Sequence, residues 1–146
     1  MALNSIHYKK ITNKVDNDDI FLRKVYHDYP LRFASVIRIK YKTIINKLGK
    51  GLEYKDTYGN ITTYWSISFS DDSVASLCSD TGERYVFSAP YNTLWAIHAQ
   101  SLHGIENVHK IFGRKFPPKD KFCRKIWEEK YHNYKERMCT VDSYYL

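Results

Sequence analysis

The sequence predicts an α+β fold, with a small antiparallel sheet packed by helices from both ends of the chain. Three observations lead to it. Between residues 51 and 88, short runs alternate apolar with polar residues and are parted by Gly, Asn and Asp, the pattern of a β-meander of about four strands. On either side, apolar residues recur at helical spacing instead. Charge divides along the same lines. Residues 1–50 carry eleven Lys and Arg against four Asp, residues 51–105 carry two against six acidic residues, and residues 106–146 carry ten against six. Basic flanks of +7 and +4 therefore surround a centre of −4.

A chain of 146 residues is of ordinary single-domain size, and a domain of about this length buries roughly two-thirds of its unfolded surface. One domain over residues 1–146 is expected. Thirteen Tyr, seven Phe and three Trp supply core mass and argue against disorder. Cys78, Cys123 and Cys139 are odd in number, widely spaced and without a CxxC pair, so neither a disulfide framework nor a structural zinc site is expected. The N-terminus has no apolar stretch of signal-peptide length, and no run approaches the roughly 20 apolar residues that span a bilayer. The expectation is a cytoplasmic protein without membrane contact.

Taken in order, residues 16–28 open with polar capping residues, continue with Ile20, Phe21 and Val25, and stop before Pro30, which predicts a short helix. Residues 31–48 fit two forms. As a helix, Phe33, Ala34, Ile37, Tyr41, Ile44, Ile45 and Leu48 share one face, and Arg32, Arg38, Lys40, Lys42 and Lys47 fall outside it. As a strand, Ile37, Ile39 and Tyr41 alternate with Arg38, Lys40 and Lys42. The helix is preferred because the stripe persists to Gly49, a common terminator. Residues 51–56 and 61–69 flank Tyr58-Gly59-Asn60 and read as a hairpin, and residues 74–78 and 84–88 flank Ser79–Glu83 and read as a second. Beyond Pro90, Leu94, Trp95, Ile97, His98 and Leu102 predict a helix ending at Gly104. Ile105, Val108, Ile111 and Phe112 predict another ending at Gly113. Residues 114–119 form a connector that Pro117-Pro118 would hold extended. Asp120 is placed to cap a last helix over 121–138, with Cys123, Trp127, Tyr131, Tyr134 and Met138 on one side.

No arrangement of residues forms a recognisable reaction centre. His98, His103 and His109 are five and six residues apart, not the i,i+4 spacing of a helical metal pair, so no metal or cofactor is expected. Asp71, Asp72, Asp80 and Glu83, near Lys55 or Arg84, are the residue types that hold Mg²⁺ for phosphodiester cleavage. They fall where turns are expected, and Asp is an ordinary turn residue. Glu53-Tyr54-Lys55 has the spacing of some metal-dependent nucleases but lacks a partner Asp upstream in a strand. Cys78-Ser79-Asp80-Thr81-Gly82 is the nearest approach to a nucleophile on a turn, and nothing in the spacing pairs a His with it. The patterns GxxxxGK[ST] and GxGxxG are missing, so a phosphate-cradling nucleotide loop is not expected.

The basic segments carry the functional expectation. Arg114, Lys115, Lys119, Lys121, Arg124 and Lys125 put six cations into twelve residues, interrupted by Phe116, Pro117, Pro118 and Phe122. Cations with exposed rings on a stiff backbone suit phosphate contact and base stacking. The plain alternative is a solvated connector whose rings enter the core. If this cluster and the basic face of residues 31–48 align in three dimensions, their potentials add. The first expectation is a non-enzymatic binding protein that captures nucleic acid, or an acidic protein surface, through Arg32, Arg38, Lys40, Lys42, Lys47 and the 114–125 cluster. The second is an inhibitor or adaptor of the kind viruses and phages direct at a host machine. It would bind protein through Tyr64, Trp65, Tyr85, Tyr144 and Tyr145. The third is a small metal-dependent nuclease or phosphodiesterase whose acidic turns converge.

Overall fold

The computed structural model describes residues 7–10, 32–55, 57–80, 89–99 and 101–129, without the side chains of residues 32–34. It is an α+β fold. The described residues form six strands, β1 (Tyr8–Lys10), β2 (Arg32–Arg38), β3 (Leu52–Lys55), β4 (Ile61–Phe69), β5 (Val74–Cys78) and β6 (Leu94–Ala99). All pairings are antiparallel, in the order β1-β4-β5-β6-β2, and β3 also pairs with β4. β3 pairs with residues 61–64 of β4 and β1 with residues 67–69, so both lie on the side of β4 away from β5. Among the described strands β2 forms the opposite edge.

The central strands are buried on both faces, which explains their mixed pattern. One face presents Trp65, Ile67 and Phe69 from β4, Ala75 and Leu77 from β5, and Trp95, Ile97 and Ala99 from β6. Two helices cover it: α1 (Tyr41–Leu48), through Ile44 and Leu48, and α2 (Leu102–Ile111), through Ile105, Val108 and Ile111. A third helix, α3, spans 121–129 and adds Trp127 to the same core. Fully burying a side chain of this size contributes about 1.5–3 kcal/mol.

Residues 31–48 satisfy both of their patterns in succession. The first half is strand β2 and the second half is α1, in place of the single helix that the apolar stripe suggests. Pairing with β6 gives β2 its backbone hydrogen bonds and puts Val36 and Ile37 on opposite buried faces, Val36 opposite Ala96 and Ile37 opposite Trp95. Eight residues are too few for a stable isolated helix, and Lys40 at the N-cap offers no side-chain cap. Tertiary contacts hold α1 instead. The Trp95 indole donates to the Ile39 carbonyl at 2.8 Å, just before the helix, and the Trp65 indole donates to the Gly49 carbonyl at 2.9 Å, just after it. Tyr41 stacks on Trp95 at 6.1 Å, and the two indoles meet edge to face at 5.5 Å.

Residues 94–99 are strand β6, not the helix expected from their apolar content. A strand buried on both faces has no alternation to reveal it. The helix that follows begins at Leu102 and contains Gly104, which the sequence pattern marks as a terminator. A Cβ on Gly104 would lie 3.0 Å from the Ala99 Cβ and 3.0 Å from the Val74 carbonyl oxygen, so glycine lets α2 sit close on β5 and β6. The β3–β4 hairpin and the end of α2 at Gly113 match expectation. β5 pairs with β4 and β6. The expected second strand at 84–88, the helix at 16–28 and residues 130–138 of the last helix lie outside the described residues. No helix among the described residues is long and apolar enough to cross a membrane.

Candidate functional site

Three segments meet at the outer edge of β2. The end of α2 delivers the first. Gly113, with φ of 65°, occupies the left-handed position of a Schellman ending: its N–H donates to the Lys110 carbonyl at 2.9 Å, and the next N–H, of Arg114, donates to the His109 carbonyl at 2.8 Å. This closure satisfies the last carbonyls of α2 and sends the chain back along β2, with Arg114 and Lys115 as its first exposed residues.

Asp120 anchors the other end of that segment. Its Oδ1 accepts from the Cys123 N–H at 3.0 Å, and its carbonyl accepts from the Arg124 N–H at 2.8 Å, so it caps α3 as its position predicts. Its Oδ2 accepts from Arg38 Nε, also at 3.0 Å. The cap N–H, followed by Arg38, holds the Asp120 carboxyl below its ordinary value against the opposing effect of burial. The Arg38 guanidinium in turn lies 5.9 Å from the centroid of the Phe122 ring.

Between β2, the end of α2 and residues 113–123 lies a cavity of about 380 Å³. Its basic residues are Arg38, Arg114, Lys115 and Lys119, and its apolar lining includes Val36, Ile37 and Pro118. Asp120, the single acidic residue in the lining, is already bonded to Arg38. His109 also lines the cavity and is 1% exposed. Its Nδ1 lies 2.9 Å from the Ile105 carbonyl oxygen, which can only accept, so Nδ1 carries the proton and Nε2 keeps its lone pair. Among the described residues Nε2 is buried without a hydrogen-bond partner. Burial lowers the His109 pKa and keeps the ring neutral. Cys123 lines the same cavity, and burial foremost, with Asp120 beside it, pushes its thiol up to about 11.

The expected basic residues thus divide. Arg38, Arg114, Lys115 and Lys119 come together, although Arg38 is more than 75 positions from the others. Lys121, Arg124 and Lys125 are exposed on α3, where Arg124 pairs with Glu128 at 3.1 Å, and none of them lines the cavity. Lys40 and Lys42 are exposed at the start of α1. Lys47 lies near the other edge of the sheet, where its carbonyl accepts from the Tyr8 hydroxyl on β1. The Arg32 side chain is outside the described part. Phe116 does not project toward a partner as an extended connector would present it. Its ring packs 5.0 Å from His109 and 4.8 Å from Trp127. Phe122 is 43% exposed.

The remaining candidates are dispersed. Tyr64 and Trp65 are buried on opposite faces of β4, so neither offers an interface. Tyr85, Tyr144 and Tyr145 lie outside the described residues, as do Glu83 and Arg84. Asp71 and Asp72 sit in the β4–β5 turn, whereas Asp80 follows the other end of β5. Eight extended residues cover about 26 Å, so the strand keeps these carboxylates apart. Asp71 holds structure together, accepting from the Ser73 hydroxyl at 2.6 Å and from Asn107 Nδ2 at 2.9 Å and so tying the turn to α2. Among the described residues no group of three or more His, Cys, Asp or Glu is placed to hold a metal ion. His103 is exposed on α2.

One pairing has no signal in the sequence. Cys78 Sγ lies 3.9 Å from His98 Nδ1. Ser76 faces His98 and Cys78 faces Ala96, so Cys78 and His98 are diagonal neighbours on the face opposite the tryptophans. Only strand register brings them together. Thiol and imidazole are the partners of nucleophilic catalysis, but here both are buried. No protein family, curated protein or solved structure matches the chain.

Proposed function

We propose that the protein is a nucleic-acid-binding protein of the cytoplasm, with Arg38, Arg114, Lys115 and Lys119 as its principal phosphate contacts. The observation that carries this reading is the convergence of these four cations, drawn from distant parts of the chain, on one cavity whose single carboxylate is already engaged. Cations sharing a concave wall focus their field, whereas cations scattered over a convex surface are individually solvated. Arginine brings a planar fork that matches phosphate oxygens, and lysine brings a mobile point charge. Lys40, Lys42, Lys121, Arg124 and Lys125 add long-range attraction.

Fluorescence anisotropy of a labelled single-stranded oligonucleotide tests the reading. Replacing Arg114, Lys115 and Lys119 together by Ser weakens binding tenfold or more, about 1.4 kcal/mol. Their exposure keeps the effect on folding within roughly 0.5 kcal/mol for each. A triple variant that folds and binds with wild-type affinity contradicts the proposal.

A further inference from the structure

Beside the cavity stands an aromatic ring that the core does not use. Phe69 and Phe112 are buried and Phe116 packs between His109 and Trp127, but Phe122 is 43% exposed. A single exposed ring is ordinary in itself. What sets this one apart is its neighbour: the Arg38 guanidinium lies over it, 5.9 Å from the ring centroid, and the same Arg38 lines the cavity with Arg114, Lys115 and Lys119. Asp120 and Cys123, on either side of Phe122 in sequence, line the cavity as well. The other exposed large apolar side chains among the described residues, Tyr58, Ile61 and Tyr91, belong to the β3–β4 hairpin and the turn before β6.

Bonds within the fold hold this ring beside the cations. Asp120 caps the first turn of α3 through the Cys123 N–H, and its other carboxylate oxygen accepts from Arg38. Phe122 lies in that capped turn, so on binding only its own side-chain torsions remain to be settled, a small ordering cost. A phosphate oxygen bonds a guanidinium at about 2.7–2.9 Å, which puts a phosphate on Arg38 within one nucleotide of the ring. A flat aromatic surface next to a cationic groove is the arrangement on which unpaired bases stack, with arginine adding cation–π attraction. A base inside a duplex is already stacked above and below. It has no face to offer.

We propose, resting on the nucleic-acid reading above, that Phe122 is a stacking platform for one unpaired base of a strand whose adjacent phosphate is held by the cations of the cavity. The cations attract any nucleic acid, and the ring adds affinity only where a base is free. The protein therefore favours single strands, whichever base they present, because every base has a π-face. Taking a base from a duplex requires its unstacking and unpairing, and a strand that is already single avoids most of that cost.

The experiment compares three labelled ligands of equal length by fluorescence anisotropy: a single strand, its duplex, and a strand of abasic residues, which keeps the phosphates and lacks the bases. The wild-type protein is expected to bind the natural single strand about fivefold or more tighter than the abasic one. Phe122→Ala loses about that factor on the natural strand, changes by less than about twofold on the abasic strand and the duplex, and keeps the wild-type dependence on salt. Phe122→Leu, which retains apolar bulk in α3 without a π-face, behaves as the alanine variant does. Phe122→Trp keeps the preference for bases. Wild-type protein that binds natural and abasic strands equally, a Phe122→Ala variant with wild-type affinity for the natural strand, or a loss equal on all three ligands would overturn the platform and leave the electrostatic reading standing. Failure of all three ligands to bind the wild type at low salt would overturn both.

Discussion

Arg38 Nε and Asp120 Oδ2 lie 3.0 Å apart across 82 positions of sequence. The contact does two things at once. It fastens the start of α3 to the edge strand of the sheet, and it commits part of the Arg38 charge to an internal carboxylate. Two replacements separate these roles. Asp120→Asn keeps a good N-cap but removes the negative charge that offsets Arg38, so oligonucleotide affinity at low salt rises by about twofold to tenfold with little change in stability. Asp120→Ala also loses the cap, which costs about 1 kcal/mol, measurable as a lower urea midpoint. Reduced affinity in the Asn variant would show that the ion pair positions Arg38 for binding and does not restrain it.

The clasp on α1 predicts a second result. Trp95→Phe removes the indole donor to the Ile39 carbonyl, leaves that buried acceptor unpaired and opens space beneath Tyr41. A buried unpaired acceptor costs about 1–3 kcal/mol. The same change at Trp65 costs less, because the bond to the Gly49 carbonyl is only partly buried. Urea unfolding of the two variants checks the order, and equal midpoints would contradict it.

How much of this architecture the sequence discloses depends on how far apart the cooperating residues are. The β3–β4 hairpin, the helix end at Gly113 and the Asp120 cap are visible because each is decided within a few residues. Trp95 and Ile97 are ambiguous because a strand buried on both faces loses its alternation, and Gly104 misleads because its reason is the nearness of Ala99, not a helix end. The cationic half of the site is anticipated in the 114–119 run, but its inclusion of Arg38 and its exclusion of Lys47 are decided by topology. The burial of His109 is hidden more deeply. In sequence it is one of three spaced histidines, and only burial beside the cavity sets it apart.

Acid sensitivity follows from the lowered values. His109 titrates near 6.5 when solvated, and burial lowers that value in the fold. Between the two values the unfolded chain binds more protons, so stability is full above about 6.5 and declines as the pH falls below it. Asp71, stabilised as its anion chiefly by the Ser73 hydroxyl, and Asp120, by the Cys123 N–H, add a further loss below their ordinary 3.8. Urea midpoints measured from pH 7.5 to 5 check the first part. His109→Gln, which cannot titrate, flattens that slope, and an unchanged slope would assign it to other histidines.

Cys123 supplies an independent check of the cavity lining. With a thiol raised to about 11, it is almost entirely protonated at pH 8, and the thiolate is the reactive form. Site-resolved mass spectrometry after iodoacetamide treatment of the native protein therefore finds Cys123 modified at least tenfold more slowly than in urea. Native labelling at the unfolded rate would show that the segment over the cavity opens freely.

The salt dependence of single-strand binding separates a phosphate-binding cavity from a diffusely basic surface. Each phosphate contact on a single strand contributes about 0.7 to the slope of log K against log salt. Replacing Arg114, Lys115 and Lys119 by Ser removes three contacts and lowers the magnitude of the slope by about 2. Replacing Lys40 and Lys42, which do not line the cavity, changes it by less. A triple variant whose slope equals that of the wild type would contradict the assignment of the cavity as the phosphate site.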